Sequence, residues 1–224
     1  MSGNWRRPTV SDNRRISAIA APLNIANLDT DQIMPKQFLR RIDKANLDKG
    51  LLWDLRFDAE SRPRREFVLN KQEFAATGIL IGGANFGCGS SREHAVWGLR
   101  QYGIQAIIAP SFGEIFYSNA MNNGLLAVAL PEKAATDLMT EALRSPIPLH
   151  VEIDIEMLTV RSPTHESPFF LSDRHRRMFL ENIDMIDASL ALENEIRKFA
   201  RDHWASQPWL RDVAARTKEY LDTR

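Results

Sequence analysis

Apolar and polar positions fall into short unbroken apolar runs separated by amphipathic stretches. ISAIAAPL (Ile16–Leu23), GILIGG from Gly78, IQAIIAP (Ile104–Pro110) and LLAVAL (Leu125–Leu130) are such runs, and their length and punctuation predict strands buried on both faces. Between the second and third, the pattern predicts a helix of about 10 residues that stops near Gly103 in a left-handed cap. SFGEIFYSNAMNNG predicts another helix, closed by Gly124. PEKAATDLMTEALRS predicts a third, with Pro131 at its first position. Strands alternating with helices argue for an α/β domain. LHVEIDIEMLTVRS alternates apolar and polar residues over two short runs, the signature of a half-exposed antiparallel pair. From about Asp187 to Arg224 the composition is helical, broken near Pro208. Two segments lack a clear period. Residues 1–15 are polar and Arg-rich and are expected to form a flexible tail. LRRIDKANLDKGLLWDLRFDAESRPRREF mixes both charge signs and reads as a long surface loop with one helical turn, and loops of that length are usually functional or disordered.

Composition narrows the function classes. The chain has 224 residues, enough for one large domain or a domain with extensions. Basic and acidic residues balance at 29 each, so no global field draws the protein to nucleic acid. The single cysteine excludes an internal disulfide and any four-thiolate iron–sulfur or zinc site built from this chain alone. No apolar run approaches the roughly 18 residues of a membrane-spanning helix. MSGNWRRPTVSDNRR lacks the apolar core of a secretory signal, so a cytoplasmic protein is expected.

The chemistry concentrates in GGANFGCGSSREHAVWGLRQYG, Gly82–Gly103. Gly82 and Gly87 have the spacing of a phosphate-binding Walker loop, but Cys88 stands where lysine must reach the phosphates. The dinucleotide fingerprint starts at Gly87 and Gly89 and fails at Arg92, where a third glycine should allow close packing. Ser90-Ser91-Arg92-Glu93 matches a capping box, which accounts for Ser90 and Glu93 without chemistry. It leaves unexplained the glycines, which let a ligand or another backbone approach closely. It also leaves an arginine opposing the helix dipole, which an anion would neutralise. A helix N-terminus with Arg92 suits a carboxylate, and a serine hydroxyl beside it could act on that carboxylate's neighbour. Cys88 with His94 as base is the alternative nucleophile; its bland counterpart is a small residue filling a tight turn beside a packed histidine.

GANFGCGSSREHA resembles the signature of the swivelling domain of the aconitase superfamily. The wider pattern resembles one branch of it, the small subunits of 3-isopropylmalate dehydratases. NLDTDQIMPKQFLRRI, APSFGEIFYSNAMNNGLLAV and DRHRRMFLENIDMIDASLALENEI resemble three further blocks of that branch, so the likeness spans roughly residues 16–196. The resemblance implies a compact β/β/α domain over 16–196, followed by a C-terminal helical extension over 197–224. It implies a hydro-lyase that isomerises 2-isopropylmalate and 3-isopropylmalate through isopropylmaleate in leucine synthesis. It further implies a large-subunit partner carrying a [4Fe–4S] cluster, this chain binding no cofactor or metal of its own. By resemblance, Ser90 is the base that removes a proton, Asp31 is a second catalytic residue, and Ser91 and Arg92 bind substrate carboxylate. Asp29 and Thr30 are expected to hold the loop in shape. The stretch Leu39 to Leu52 occupies the place of a substrate-recognition loop, where Arg40 and Arg41 are candidate carboxylate ligands.

Two departures from the family pattern bear on the substrate. The C-terminal block keeps its Arg-His start but differs from the usual cysteine- and glycine-containing run, and the chain continues through HWASQPWLRDVAARTKEYLDTR. Related small subunits act on citramalate, dimethylmalate or homoaconitate, and these diacids stay open at this point. So does a non-catalytic module that keeps the loop as a carboxylate nest.

Overall fold

A computed structural model describes residues 14–39 and 46–223. Arg40 and Arg41 lie outside the described residues.

The apolar runs become the parallel half of a sheet. β1 (Arg15–Leu23), β2 (Thr77–Gly82), β3 (Ala106–Ala109) and β4 (Leu126–Ala129) lie side by side and parallel, and β2 and β3 are buried at every position. That double-sided burial is why these strands read as continuous apolar runs. The other half is antiparallel. β5 (Leu149–Asp154) returns alongside β1, and β6 (Thr159–Arg161) and β7 (Glu166–Pro168) follow as short hairpin strands. The seven strands stand in the order β4-β3-β2-β1-β5-β6-β7, which makes β1 the seam between the two halves. The sequence pattern predicts β5 and β6 but not β7, whose three residues carry too little alternation.

The helices follow the predicted punctuation. α1 (Thr30–Ile33) and α2 (Trp53–Arg56) are single turns in the β1–β2 connection. α3 (Glu93–Tyr102) ends at Gly103, with φ 109°, as expected of a left-handed cap. α4 (Glu114–Asn122) is closed by Asn123 and Gly124. α5 (Glu132–Arg144) starts with Pro131 as its cap residue and packs on β1 and β2. α6 (Asp173–Glu181), which the periodicity did not predict, is capped by Ser172. The β6–β7 turn is fastened to α5 through Glu141. Burial pushes that carboxyl up, but hydrogen bonds from Ser162 Oγ (2.6 Å) and the Thr164 amide (3.2 Å), with His165 Nδ1 at 2.7 Å, hold it below its ordinary value.

The connection between β1 and β2 corrects the surface-loop expectation. Leu47, Leu51, Leu52 and Leu69 are buried in the core, and Phe38, Trp53 and Phe57 stack in sequence with centroids 5.3 and 4.3 Å apart. The apolar residues that pin this segment sit in irregular turns, so they leave no helical or strand period to read.

The chain divides into two compact units, Met1–Asn182 and Ile183–Arg224. Every residue of the buried apolar core belongs to the first. The second consists of α7 (Met185–Leu190), α8 (Glu193–Ser206) and α9 (Val213–Asp222), with a 3-10 turn at Pro208–Leu210 where proline interrupts the helix; no residue of these three helices is buried. Among the described residues, no helix is long and apolar enough to cross a membrane.

Candidate active site

β1 and β2 end in register, Leu23 opposite Gly82, with β3 alongside. The segments that leave these three strands therefore gather at the carboxyl edge of the parallel sheet, the usual place for a site in such folds. They are Asn24–Gln32, Gly83–Arg92 and Pro110–Gly113, the same stretches that carry the sequence blocks.

Backbone hydrogen bonds lace the three together. Gly87 N–H donates to Leu28 O at 2.7 Å and Thr30 N–H to Cys88 O at 2.9 Å. Phe86 N–H donates to Ser111 O at 3.0 Å, and Gly113 N–H to Phe86 O at 2.9 Å. The glycine loop is thus an irregular strand held between the other two segments. Its glycines admit the protein itself. Gly87 has φ +73°, and a Cβ there would enter the ring of Phe116. Gly89 has φ +91° and lies against the carboxylate of Asp29. Both positions need a left-handed backbone that residues with a side chain rarely adopt.

The capping box expected at Ser90–Glu93 does not form. The backbone is still extended at Arg92, which is the cap residue of α3 and makes no side-chain cap. The Ser90 carbonyl accepts the hydroxyl of buried Thr30 at 2.8 Å, and the Glu93 carboxylate accepts from Asn123 Nδ2 at 2.8 Å. A capping box appears on α1 instead. There Asp29 accepts from the Asp31 amide, and Gln32 accepts from the Asp29 amide at 3.1 Å. Asp29 and Thr30 accordingly shape the loop.

Arg92 meets its anion within the chain. Its Nη1 lies 2.6 Å from Asp31 Oδ1, with the guanidinium side chain only 19% exposed and Asp31 38%. The contact is close yet misaligned: neither of these two buried atoms finds a well-directed hydrogen-bond partner. Lys36 Nζ stands 3.8 Å from the other Asp31 oxygen. Ser90 and Ser91 are exposed beside this cluster. The structure therefore brings Ser90, Ser91, Arg92 and Asp31 together.

Other neighbours were not legible in advance. Asn123 joins the start of α3 to the end of α4, since it also accepts from Trp97 Nε1 at 2.9 Å. The asparagine pair before Gly124 was the sole signal for it. Cys88 Sγ points to the Asn27 carbonyl at 3.3 Å, and the His94 ring lies against Trp97 with centroids 4.7 Å apart. Both positions fit the turn-filling and packing readings. His175, from the C-terminal block, meets Tyr117 edge-on at 5.9 Å; burial, then the charge of Arg174, lowers its pKa, while burial raises that of Tyr117. Among the described residues, no three His, Cys, Asp or Glu side chains form a group able to hold a metal ion.

Residues 14–133 match the model of the aconitase C-terminal domain. A 3-isopropylmalate dehydratase small subunit of Chromobacterium violaceum is 60% identical, the alignment covering 92% of this chain and 97% of that protein. The chain belongs to the family of 3-isopropylmalate dehydratase small subunits. A second member, from Phenylobacterium zucineum, is 45% identical over 88% of this chain and 96% of its own length. The solved structure of a 3-isopropylmalate dehydratase from Methanocaldococcus jannaschii superposes with a TM-score of 0.58 at 26% identity, covering 82% of this chain and 98% of that one. These family members bear out the resemblance and the α/β aconitase-type domain it implied.

Proposed function

We propose that the chain supplies the proton-transfer half of a 3-isopropylmalate dehydratase and is active only against a large subunit. The observation that carries this is the grouping of Ser90, Ser91 and Arg92 with Asp31 at the carboxyl edge of β2, in a chain 60% identical to a small subunit.

The reaction moves a hydroxyl group between neighbouring carbons. A proton leaves the carbon beside a carboxylate, the hydroxyl departs to give isopropylmaleate, and water returns with the opposite orientation. In this reading Ser90 Oγ takes the proton. A serine hydroxyl is a weak base, so its ionised form needs nearby positive charge, which Arg92 and the N-terminus of α3 would provide. Ser91 and Arg92 would orient the substrate carboxylate and fix the scissile C–H bond toward Ser90. Asp31 would hold the guanidinium in place. The [4Fe–4S] cluster expected on the large subunit would supply the Lewis acid that polarises the departing hydroxyl. A single cysteine here fits that division of labour.

The test is anaerobic reconstitution of this chain with its cluster-loaded large subunit. Alkene formation from 2-isopropylmalate should appear and should vanish in Ser90→Ala while the complex still forms. Turnover of citramalate or a homoaconitate-type diacid alone would move the substrate and keep the mechanism. A stable complex inert toward all of them would overturn the reading in favour of a carboxylate-binding module.

A further inference from the structure

Lys36 was assigned no role by the sequence pattern, yet it stands at the mouth of the site. It opens the 3-10 turn Lys36–Phe38, directly after Pro35. The base of this turn is fixed. Phe38 packs against Gly50 and on Trp53, and Met34, just before Pro35, is completely buried. Its tip is not fixed: the Lys36 side chain is 76% exposed, and at 3.8 Å its ammonium lies beyond hydrogen-bond range of Asp31.

The local charges decide what such an ammonium does. Among the described residues, the cluster contains two carboxylates, Asp29 and Asp31, and two cations, Arg92 and Lys36. With Lys36 it is neutral. Without Lys36 two carboxylates would stand against one guanidinium in this cluster, and that guanidinium is largely buried and occupied by Asp31. A dicarboxylate brings two more negative charges at neutral pH. It would be repelled by such a cluster, and among the described residues Arg92 without Lys36 cannot serve both of its ends. We infer that Lys36 is a substrate-binding residue whose ammonium receives a carboxylate of the incoming dianion, while Arg92 and Ser91 hold the other. This rests on the reading of the chain as a dehydratase small subunit.

The reconstituted complex tests it with 2-isopropylmalate. Lys36→Gln should raise KM about tenfold and leave kcat within about threefold, the pattern of an interaction made equally in ground and transition states. Lys36→Arg should restore KM, because it returns the charge. A lysine that acted only by steadying Asp31 would behave differently: kcat would fall, and Lys36→Gln would add nothing to substrate binding once Asp31 is Asn. Binding of 2-isopropylmalate to complexes of Asp31→Asn and of the double variant separates these, since a direct role predicts a further roughly tenfold loss in the double variant. An unchanged KM in Lys36→Gln, failure of arginine to rescue, or no further loss in the double variant would each overturn the inference. Absence of turnover in the unsubstituted complex would overturn the dehydratase reading instead.

Discussion

In the proposed mechanism Asp31 and the substrate carboxylate compete for the Arg92 guanidinium. In the free chain Asp31 holds it, close but poorly aligned, so the pair can rearrange when a better-directed carboxylate arrives. Asp31→Asn should therefore lower kcat/KM of the reconstituted complex by about 100-fold through misplaced Arg92, with the melting temperature almost unchanged. Steady-state kinetics beside a thermal melt would check both halves. A second carboxylate, Asp154, does purely structural work. Burial pushes its pKa up, but the Met157 amide at 2.7 Å and Arg15 Nε at 2.9 Å outweigh this and hold it below its ordinary value. A folded-state pKa below the unfolded one gives stability that is present above the unfolded value, about 4, and lost as pH falls through the folded one. Asp154→Asn should cost about 1–3 kcal/mol at neutral pH and flatten the acid side of the stability profile, as read by denaturant melts from pH 7 downward.

At the scale of elements, the glycine loop works as a seam between two neighbouring segments. Gly87→Ala should destabilise the chain by about 2 kcal/mol or more, because it combines a left-handed backbone with a clash against Phe116. Truncating Phe116 should not rescue it, since the backbone strain remains; chemical denaturation of the single and double variants measures this. The same loop shows what the chain disclosed about itself. Its parallel strands, α3 and the Gly103 stop were legible because buried strands are continuously apolar and a left-handed cap wants glycine. The capping box that the spacing suggests at Ser90 does not form because the backbone stays extended through Arg92 and Glu93 accepts from Asn123, and local spacing carries no trace of a partner thirty residues away. Arg92 beside a serine hydroxyl was legible as a carboxylate site from the helix start alone, whereas Asp31 and the separate roles of Ser90 and Ser91 came from resemblance; their meeting at one sheet edge follows from strand order. Asn123 gains its role from Glu93, thirty residues away, and Lys36 is a single exposed lysine five residues from Asp31, so neither leaves a pattern to read.

For the molecule as a whole, the apolar core ends before Asn182, while the helices beyond it bury no side chain. A chain stopped after Asn182 should keep a cooperative melt within a few degrees of the full-length protein, a shift corresponding to about 1 kcal/mol or less. Circular dichroism melts of both chains would check it.

The position of β1 as the seam also governs the order of assembly. Arg15 opens the strand, and its partner Asp154 lies 139 residues further on. During synthesis β1 leaves the ribosome first, yet its antiparallel neighbour emerges only after β2, β3, β4 and α5. Until then one edge of an apolar strand faces the cell without a mate. Such long-range pairing folds slowly and exposes a sticky edge meanwhile. The nascent chain is thus most vulnerable to aggregation between the release of β1 and that of β5, and chaperone capture of stalled chains should fall sharply once residue 154 has cleared the exit tunnel.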